Sequence, residues 1–279
     1  MYRSSRAMSR FDGEVAIVTG SSSGIGRATV LLIAKEGGKV TVTGRDEARL
    51  DETKQLIIGN GVDGSNVNVI VADITTDKGQ NDIIQSTIDK FGKLDILINN
   101  AGAIIPDKNK LSGLEQGIDT YQKIFEINLQ VVIAMTQKCR KYLKESHGDI
   151  VNISSNLGSP HACIGAPYYS CAKAAVDHYT RTCAIELIKE NIRVNGIAPG
   201  LIRTNFNAAA GMPPTAADEF YTKMGANPWC IPRGYCGDPD HIATVVGFLV
   251  DRKVSDYMIG QTLTVDGGFT LQLAYQSQI

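Results

Sequence analysis

Seven short runs along the chain are apolar at most positions: residues 14–20 (EVAIVTG), 39–44 (KVTVTG), 67–73 (VNVIVAD), 94–100 (LDILINN), 149–155 (DIVNISS), 192–199 (IRVNGIAP) and 262–268 (TLTVDGG). They are rich in Val and Ile, and several lack the polar alternation of a half-exposed sheet. They predict strands covered on both faces, as in a parallel sheet. The stretches between them suit helices. IGRATVLLIAKEG follows the first run, and residues 120–145 repeat apolar side chains at 124, 127, 131, 135, 139 and 142–143, a helical period of about 3.6. A further helix is predicted over 168–190. Alternating strands and helices of this kind predict a doubly wound α/β fold: a mostly parallel seven-stranded sheet, helices on both faces, right-handed crossovers. No internal repeat or low-complexity linker divides the chain. Residues 11–279 therefore read as a single domain behind a short tail, residues 1–10. Residues 201–237 break the pattern. With prolines at 213, 214, 228 and 232, this excursion reads as a substrate loop or lid.

Composition narrows the class. The 279 residues are 43 % hydrophobic and 20 % charged, with a formal charge of −1. A large core is available, and nothing suggests a nucleic acid or an anionic membrane as partner. No apolar run approaches the ~18 residues of a membrane span. The six cysteines show no paired C-x-x-C spacing and read as reduced thiols. His147, His161, His178 and His241 lack ligand spacing, so no metal is expected. The opening MYRSSRAMSR carries three Arg, three Ser and no acid. It reads as a disordered tail of a cytoplasmic protein, with a fragment of an organelle-import signal, and hence an organelle matrix, as the alternative.

Candidate chemistry starts at the first strand's end. In TGSSSGIGRA, Gly20, Gly24 and Gly26 sit at a strand-to-helix turn. Gly20 suits a tight turn, Gly24 and Gly26 suit close approach of a phosphate, and Ser21, Ser22 and Ser23 add hydroxyls. The helix that starts at Ile25 offers free N–H groups and positive dipole to a pyrophosphate. Placed between a strand and an amphipathic helix, the glycine turn reads as the phosphate turn of a dinucleotide site, with a plain turn as the alternative. An NAD site usually ends the second strand on an acid. Here Gly44 stands in that place and Arg45 follows, a guanidinium suited to a 2′-phosphate. NADP(H) is thus preferred over NAD(H), which stays possible because Asp46 lies one residue further on. The alternative for Arg45 is a pairing with Asp46 or solvent.

In PYYSCAKAA (167–175), Tyr169 and Lys173 are four residues apart and share a helix face; Tyr168 does not share it. A lysine beside a tyrosine lowers the phenol pKa, making an acid–base pair. Tyr168 reads as packing or pocket wall.

With TGSSSGIG, NNAG (99–102), YSCAK (169–173) and APG (198–200) in this order, the chain resembles the short-chain dehydrogenase/reductase family over roughly residues 12–270. The resemblance implies hydride transfer between a nicotinamide and a carbonyl or secondary alcohol. Tyr169 would be the proton donor or acceptor, and Lys173 would tune it and bind the nicotinamide ribose. Ser155 of the SxxG register would polarise the substrate oxygen, with Ser154 or Asn156 as alternatives. Asn128 of FEINLQ would support a proton relay. It further implies that Gly20, Ser22, Ser23, Gly24, Ile25, Gly26, Arg45, Asp73, Ile74, Asn99, Ala101 and Gly102 contact the adenosine and phosphate side, with Asn99 tying the neighbouring strand backbone. Pro199, Gly200, Ile202 and Thr204 would contact the nicotinamide side. Family members associate through helices such as 120–145 and 168–190, which implies a homodimer or homotetramer. The substrate is expected to be a small-molecule carbonyl or alcohol. His161, Cys163, Phe206 and Trp229 are further candidates for its pocket. Scarce Arg and Lys in 201–237 argues against phosphorylated or carrier-bound substrates. An NAD-linked alcohol oxidation at the same site and a non-catalytic dinucleotide sensor are the competing readings.

Overall fold

The computed structural model describes residues 9–158 and 163–272. His161 and residues 1–8 of the tail lie outside the described residues. The chain runs β1 (Val15–Val18), α1 (Gly24–Lys35), β2 (Lys39–Gly44), α2 (Glu47–Gly59), β3 (Val67–Val71), α3 (Asp77–Phe91), β4 (Ile96–Asn99), α4 (Ile118–Phe125), a π-helical turn (Glu126–Gln130) and α5 (Val131–Ser146). It continues through β5 (Asp149–Ile153), α6 (Pro167–Leu187), β6 (Arg193–Pro199), α7 (Phe206–Ala209), α8 (Pro214–Ala226), α9 (Pro239–Val250), α10 (Arg252–Ser255) and β7 (Thr262–Val265).

All seven strands pair in parallel in the order β3-β2-β1-β4-β5-β6-β7. Successive side chains of a strand point to opposite faces, and the two cores follow that parity. Ala16, Val18, Ile96 and Ile98 pack with α1 and α9. Ile17, Leu97, Ile150 and Val194 pack with Ile83, Met135 and Leu187 on the other face. The strand order reverses between β1 and β4, which opens a crevice at their carboxyl ends. Ligands of doubly wound sheets bind at such a switch point.

Two elements differ from the sequence pattern. The helix predicted over 120–145 is interrupted by the π-helical turn around Asn128. One extra residue in a turn leaves the apolar period nearly intact, so periodicity does not reveal it. The excursion 201–237 is less irregular than its prolines suggest, because Pro214 opens α8 from its first turn, where a missing N–H costs nothing.

Candidate active site

The turn after β1 is shaped by its glycines. Gly20 and Gly24 have φ of +67° and +54°, a region that favours glycine. A Cβ at Gly26 would lie 2.5 Å from the Gly20 carbonyl oxygen, so only glycine lets α1 start this close to β1. Ser23 precedes α1 without capping it through its side chain, and the first turn holds no acid. Ser21 is committed to the fold, its Oγ accepting from Thr43 N at 2.9 Å. Ser22 lies against Gly44, where a Cβ would stand 3.2 Å from Ser22 Oγ. Half-buried Ile25 packs onto the α1–α9 core. These features fit a pyrophosphate: close main-chain approach, uncapped N–H groups and no competing carboxylate.

At the end of β2, Asp46 caps α2 by accepting from Arg49 N (3.1 Å) and pairs with Arg49 Nε at 3.3 Å. Arg45 is exposed, and its charge contributes to the lowered pKa of the Asp73 carboxyl, which is set mainly by the bond from Thr75 N. Asp73 Oδ1 accepts from Thr75 N and Oγ1, and Ile74 beside it is buried. In NNAG, Asn99 points away from the turn. Its Nδ2 donates to Asn152 Oδ1 (2.9 Å) and Thr136 Oγ1 (3.3 Å), so it ties a side chain of β5, not the expected strand backbone. Asn100, which the sequence reading missed, holds the turn by donating to the carbonyls of Thr19 (2.8 Å) and Gly20 (3.1 Å). The doubled Asn was a signal, but strand parity is needed to tell which one faces the turn. Ala101 N donates to Thr19 Oγ1.

Beyond β5 and β6 the remaining residues converge. Tyr169, Lys173, Ser155 and Asn128 are all buried. Ser155 neighbours the Tyr169 phenol closely enough to lower its pKa, and its Oγ accepts from Leu157 N at 3.2 Å. Ser154 Oγ instead donates to the Lys173 carbonyl, and Asn156 N donates to the Pro199 carbonyl. Gly158 of the SxxG register lies flat on α6, where a Cβ would be 3.0 Å from the Lys173 carbonyl carbon. Lys173 Nζ lies 5.6 Å from the Tyr169 ring centroid and donates to the Ile153 carbonyl at 2.8 Å. Asn128 is turned inward by the π-helical turn. Its Nδ2 donates to Ala103 O and Ile124 O, and its Oδ1 accepts from Ala103 N. Gly102 is wedged between Asn128 and Lys173, since a Cβ there would stand 2.7 Å from Asn128 Oδ1. Pro199 ends β6, Gly200 lies flat against Asp266, and Ile202 bridges to Gly237. Thr204 reaches back to the phosphate turn: a Cβ at Gly24 would be 3.1 Å from its Cγ2.

The expected lowering of the Tyr169 pKa is absent from this arrangement. Burial pushes the phenol up to about 12, against the lowering effect of the neighbouring Ser155. Burial also brings Lys173 down to about 8, against the raising effect of Asp177. Desolvation is the largest cause for both groups, because both are taken from water together. Tyr168 packs against the Tyr169 cluster, and its hydroxyl donates to the Gln116 carbonyl at 2.9 Å. Cys163 and Phe206 pack near Tyr169. Trp229 is 48 % exposed and absent from that cluster.

A family model described as "Enoyl-(Acyl carrier protein) reductase" matches residues 20–270. The chain is 49 % identical to a short-chain dehydrogenase/reductase of unknown function from Caenorhabditis elegans, solved with cofactor. That likeness covers 96 % of this chain and 99 % of the other, with a TM-score of 0.95. The chain belongs to the short-chain dehydrogenase/reductase family. It is thereby an NAD(P)-dependent oxidoreductase. It is also 49 % identical to a Caenorhabditis elegans glucose dehydrogenase solved in the apo form, at a TM-score of 0.81 over 94 % of this chain and 99 % of that one. A "3-oxoacyl-[acyl-carrier-protein] reductase FabG" of Thermotoga maritima is 34 % identical over 263 residues, which is 94 % of this chain and 100 % of the relative. Among the described residues no helix is long and apolar enough to cross a membrane.

Proposed function

We propose that this short-chain dehydrogenase/reductase transfers hydride between NADP(H) and a carbonyl or secondary alcohol, with Tyr169 exchanging the proton. The observation that carries the reading is the convergence of Tyr169, Ser155 and Lys173 in one buried site, with Lys173 Nζ 5.6 Å from the Tyr169 ring centroid. A bound nicotinamide supplies the hydride donor or acceptor and, when oxidised, a second positive charge. In reduction Tyr169 donates its phenolic proton to the substrate oxygen, and in oxidation it takes the proton back. Ser155 donates to the same oxygen and keeps it within reach of Tyr169. Lys173, fixed by the Ile153 carbonyl, holds positive charge near the phenolate that forms and reaches the ribose. Asn128 would support the proton relay by holding a water on the lone pair left on Oδ1, since both of its amide protons bind main-chain carbonyls. A phenol pushed up to about 12 is protonated at neutral pH and suited to reduction; oxidation gains as pH rises.

Arg45 favours the 2′-phosphate because Asp46, the nearby acid, is committed to capping α2. The adenosine and phosphate contacts are assigned to Gly20, Ser22, Ser23, Gly24, Ile25, Gly26, Asp73, Ile74, Ala101 and Gly102, with only the main chain of Asn99 left to contribute, since its side chain is spent on Asn152 and Thr136. Those of the nicotinamide are assigned to Pro199, Gly200, Ile202 and Thr204. A homodimer or homotetramer is proposed from the family resemblance. Ile185 of α6 is 67 % exposed, and mass in solution tests the assembly. A second reading, oxidation of a sugar alcohol group, is favoured only by the glucose dehydrogenase relative.

The test is Tyr169→Phe. Turnover of a ketone panel with NADPH should fall by about 10²–10⁴, the usual size of general acid catalysis. NADPH affinity, read by fluorescence, should stay within a few-fold. Undiminished turnover would sink the assignment.

A further inference from the structure

α6 carries a second buried charge that the proposed chemistry leaves unused. Asp177 stands one turn beyond Lys173, at the i, i+4 spacing that puts two side chains on one helix face. Asp177 is 7 % exposed and Lys173 3 %. Gly158, which follows β5, lies flat across the pair: a Cβ there would be 3.0 Å from Asp177 Oδ2 and 3.0 Å from the Lys173 carbonyl carbon. Ser154, also past the end of β5, donates its hydroxyl to that carbonyl at 3.2 Å. Thr262 of β7 neighbours Asp177 closely enough to lower its pKa. Thr262 Oγ1 and Asp177 Oδ1 are both buried, and neither has a hydrogen-bond partner among the described residues.

Such a carboxylate is not what packing alone would select. Burying a charge costs far more than burying an amide, unless the charge is paired. Asparagine fills the same space and brings no charge to desolvate. Burial is the largest cause acting on the Asp177 pKa and raises it; Ser154, Arg181, Lys173 and Thr262 oppose it in that order. Arg181, one turn further on, is exposed, and its guanidinium meets His178 Nδ1 at 3.2 Å. Lys173 has a narrower set of neighbours. Burial lowers its pKa, and Asp177 raises it. Other elements packed against α6 offer it no counter-charge among the described residues. Asp119 of α4 pairs with Lys108, and Arg193 of β6 pairs with Asp149. Lys123 of α4 is exposed, and neither it nor Glu126 of the π-helical turn perturbs Lys173. What faces Lys173 otherwise is uncharged: the Tyr169 phenol, Asn128 across Gly102, and the Ile153 carbonyl. A lysine buried without a counter-charge readily gives up its proton.

Resting on the proposed function, we infer that Asp177 is a positioning residue of this site: its buried carboxylate keeps the Lys173 ammonium charged beside Tyr169 during the reaction. Asp177 acts through Lys173 and not on the substrate. A lysine stripped of its counter-charge holds its proton less tightly, so its charged form ends at a lower pH. Reduction uses both the proton on Tyr169 and the charge on Lys173. The first lasts to about pH 12 and the second to about pH 8, so Lys173 sets the alkaline limb of reduction and Asp177 sets where that limb falls.

The test follows kcat/KM for cyclohexanone with saturating NADPH, from about pH 6 to 10, in the full chain and in Asp177→Asn. The alkaline limb, near pH 8 in the unaltered protein, should move down by about one pH unit, the low end for loss of an opposite charge in a buried site. The deficit of the variant should then grow with pH, from almost nothing at pH 6 to about five-fold at pH 8. Thr262→Val alters a neighbour of Asp177 without altering charge and should leave the limb in place. A uniform loss at every pH in Asp177→Asn, or an equal shift in Thr262→Val, overturns the assignment. A second measurement needs no turnover: ¹³C NMR of protein labelled at lysine Cε, with Lys173 assigned through Lys173→Arg, follows the Lys173 titration directly. Its midpoint should fall by about the same amount in Asp177→Asn; an unmoved midpoint overturns the role of Asp177. If the unaltered protein reduces no ketone while the midpoint still moves, the proposed reaction fails and the charge coupling stands.

Discussion

Gly102→Ala adds a single methyl group at the point where the candidate catalytic residues are most tightly packed. The new Cβ would lie 2.7 Å from Asn128 Oδ1 and 3.3 Å from Lys173 Nζ. Asn128 cannot simply turn away. It is fully buried, and its amide satisfies Ala103 N at 3.1 Å, Ala103 O at 2.7 Å and Ile124 O at 2.8 Å. If it rotates, a buried main-chain group loses its partner, at about 1–3 kcal/mol. If it stays, the loop 101–103 must move, and overpacking costs about 1–3 kcal/mol. Some of each gives a loss of roughly 2–4 kcal/mol. For a chain of this size that is a fall in melting temperature of about 4–10 °C. Displacing Asn128 or Lys173 by about 1 Å should cost about 10² in kcat/KM. Thermal melts followed by circular dichroism and ketone reduction kinetics measure the two effects. Gly59→Ala is the control. The same methyl at the end of α2 meets nothing within 4 Å, and removing a helical glycine should stabilise by about 0.5–1 kcal/mol. A Gly102→Ala protein with unaltered melting temperature and turnover would refute the packing argument.

Further outcomes follow from charges elsewhere in the fold. Arg45→Ala should weaken NADPH by about ten-fold while leaving NADH within two-fold, as loss of a charge-assisted pair to phosphate requires; equal effects on both cofactors, read by fluorescence titration, would remove Arg45 from the 2′-phosphate. Arg193, 1 % exposed, donates to Asp149 and to the carbonyls of Ser255 and Leu249. Arg193→Met leaves that buried carboxylate with Arg252 alone and should cost about 3–5 kcal/mol, seen as a lower urea midpoint. Glu14, beneath β1, has its carboxyl raised to about 7, by burial first and then by Asp95 and Asp149. The folded protein thus holds a proton there that the unfolded chain releases above its pKa of about 4.5, so this group lowers stability progressively from about pH 4.5 to 7 and by a constant amount above. Glu14→Gln should therefore stabilise at pH 8 by about 1–2 kcal/mol, after discounting for its partial exposure. Little change is expected at pH 4.5, and chemical denaturation at the two pH values reads the difference.

The chain's apolar runs determined much by themselves. Strands apolar on both faces must be covered on both faces, so the seven-stranded parallel sheet was legible without coordinates. So was the glycine turn, because positive φ and close helix approach demand glycine at Gly20, Gly24 and Gly26 whatever surrounds them. The pairing of Tyr169 with Lys173 followed from helix geometry alone. What the tertiary structure decided depends on groups distant in sequence. Strand parity sent Asn99 into the sheet's lower face and Asn100 to the turn, and the contact with α6 committed Ser154 to main chain while Ser155 met Tyr169. A π-helical turn, invisible to a period count, brought Asn128 inward against Gly102. Burial, which no local spacing encodes, raised the Tyr169 pKa where a neighbouring lysine alone would lower it. Local rules fix which conformations a segment can adopt; solvation and partners come from the rest of the molecule, and they set the chemistry of the site.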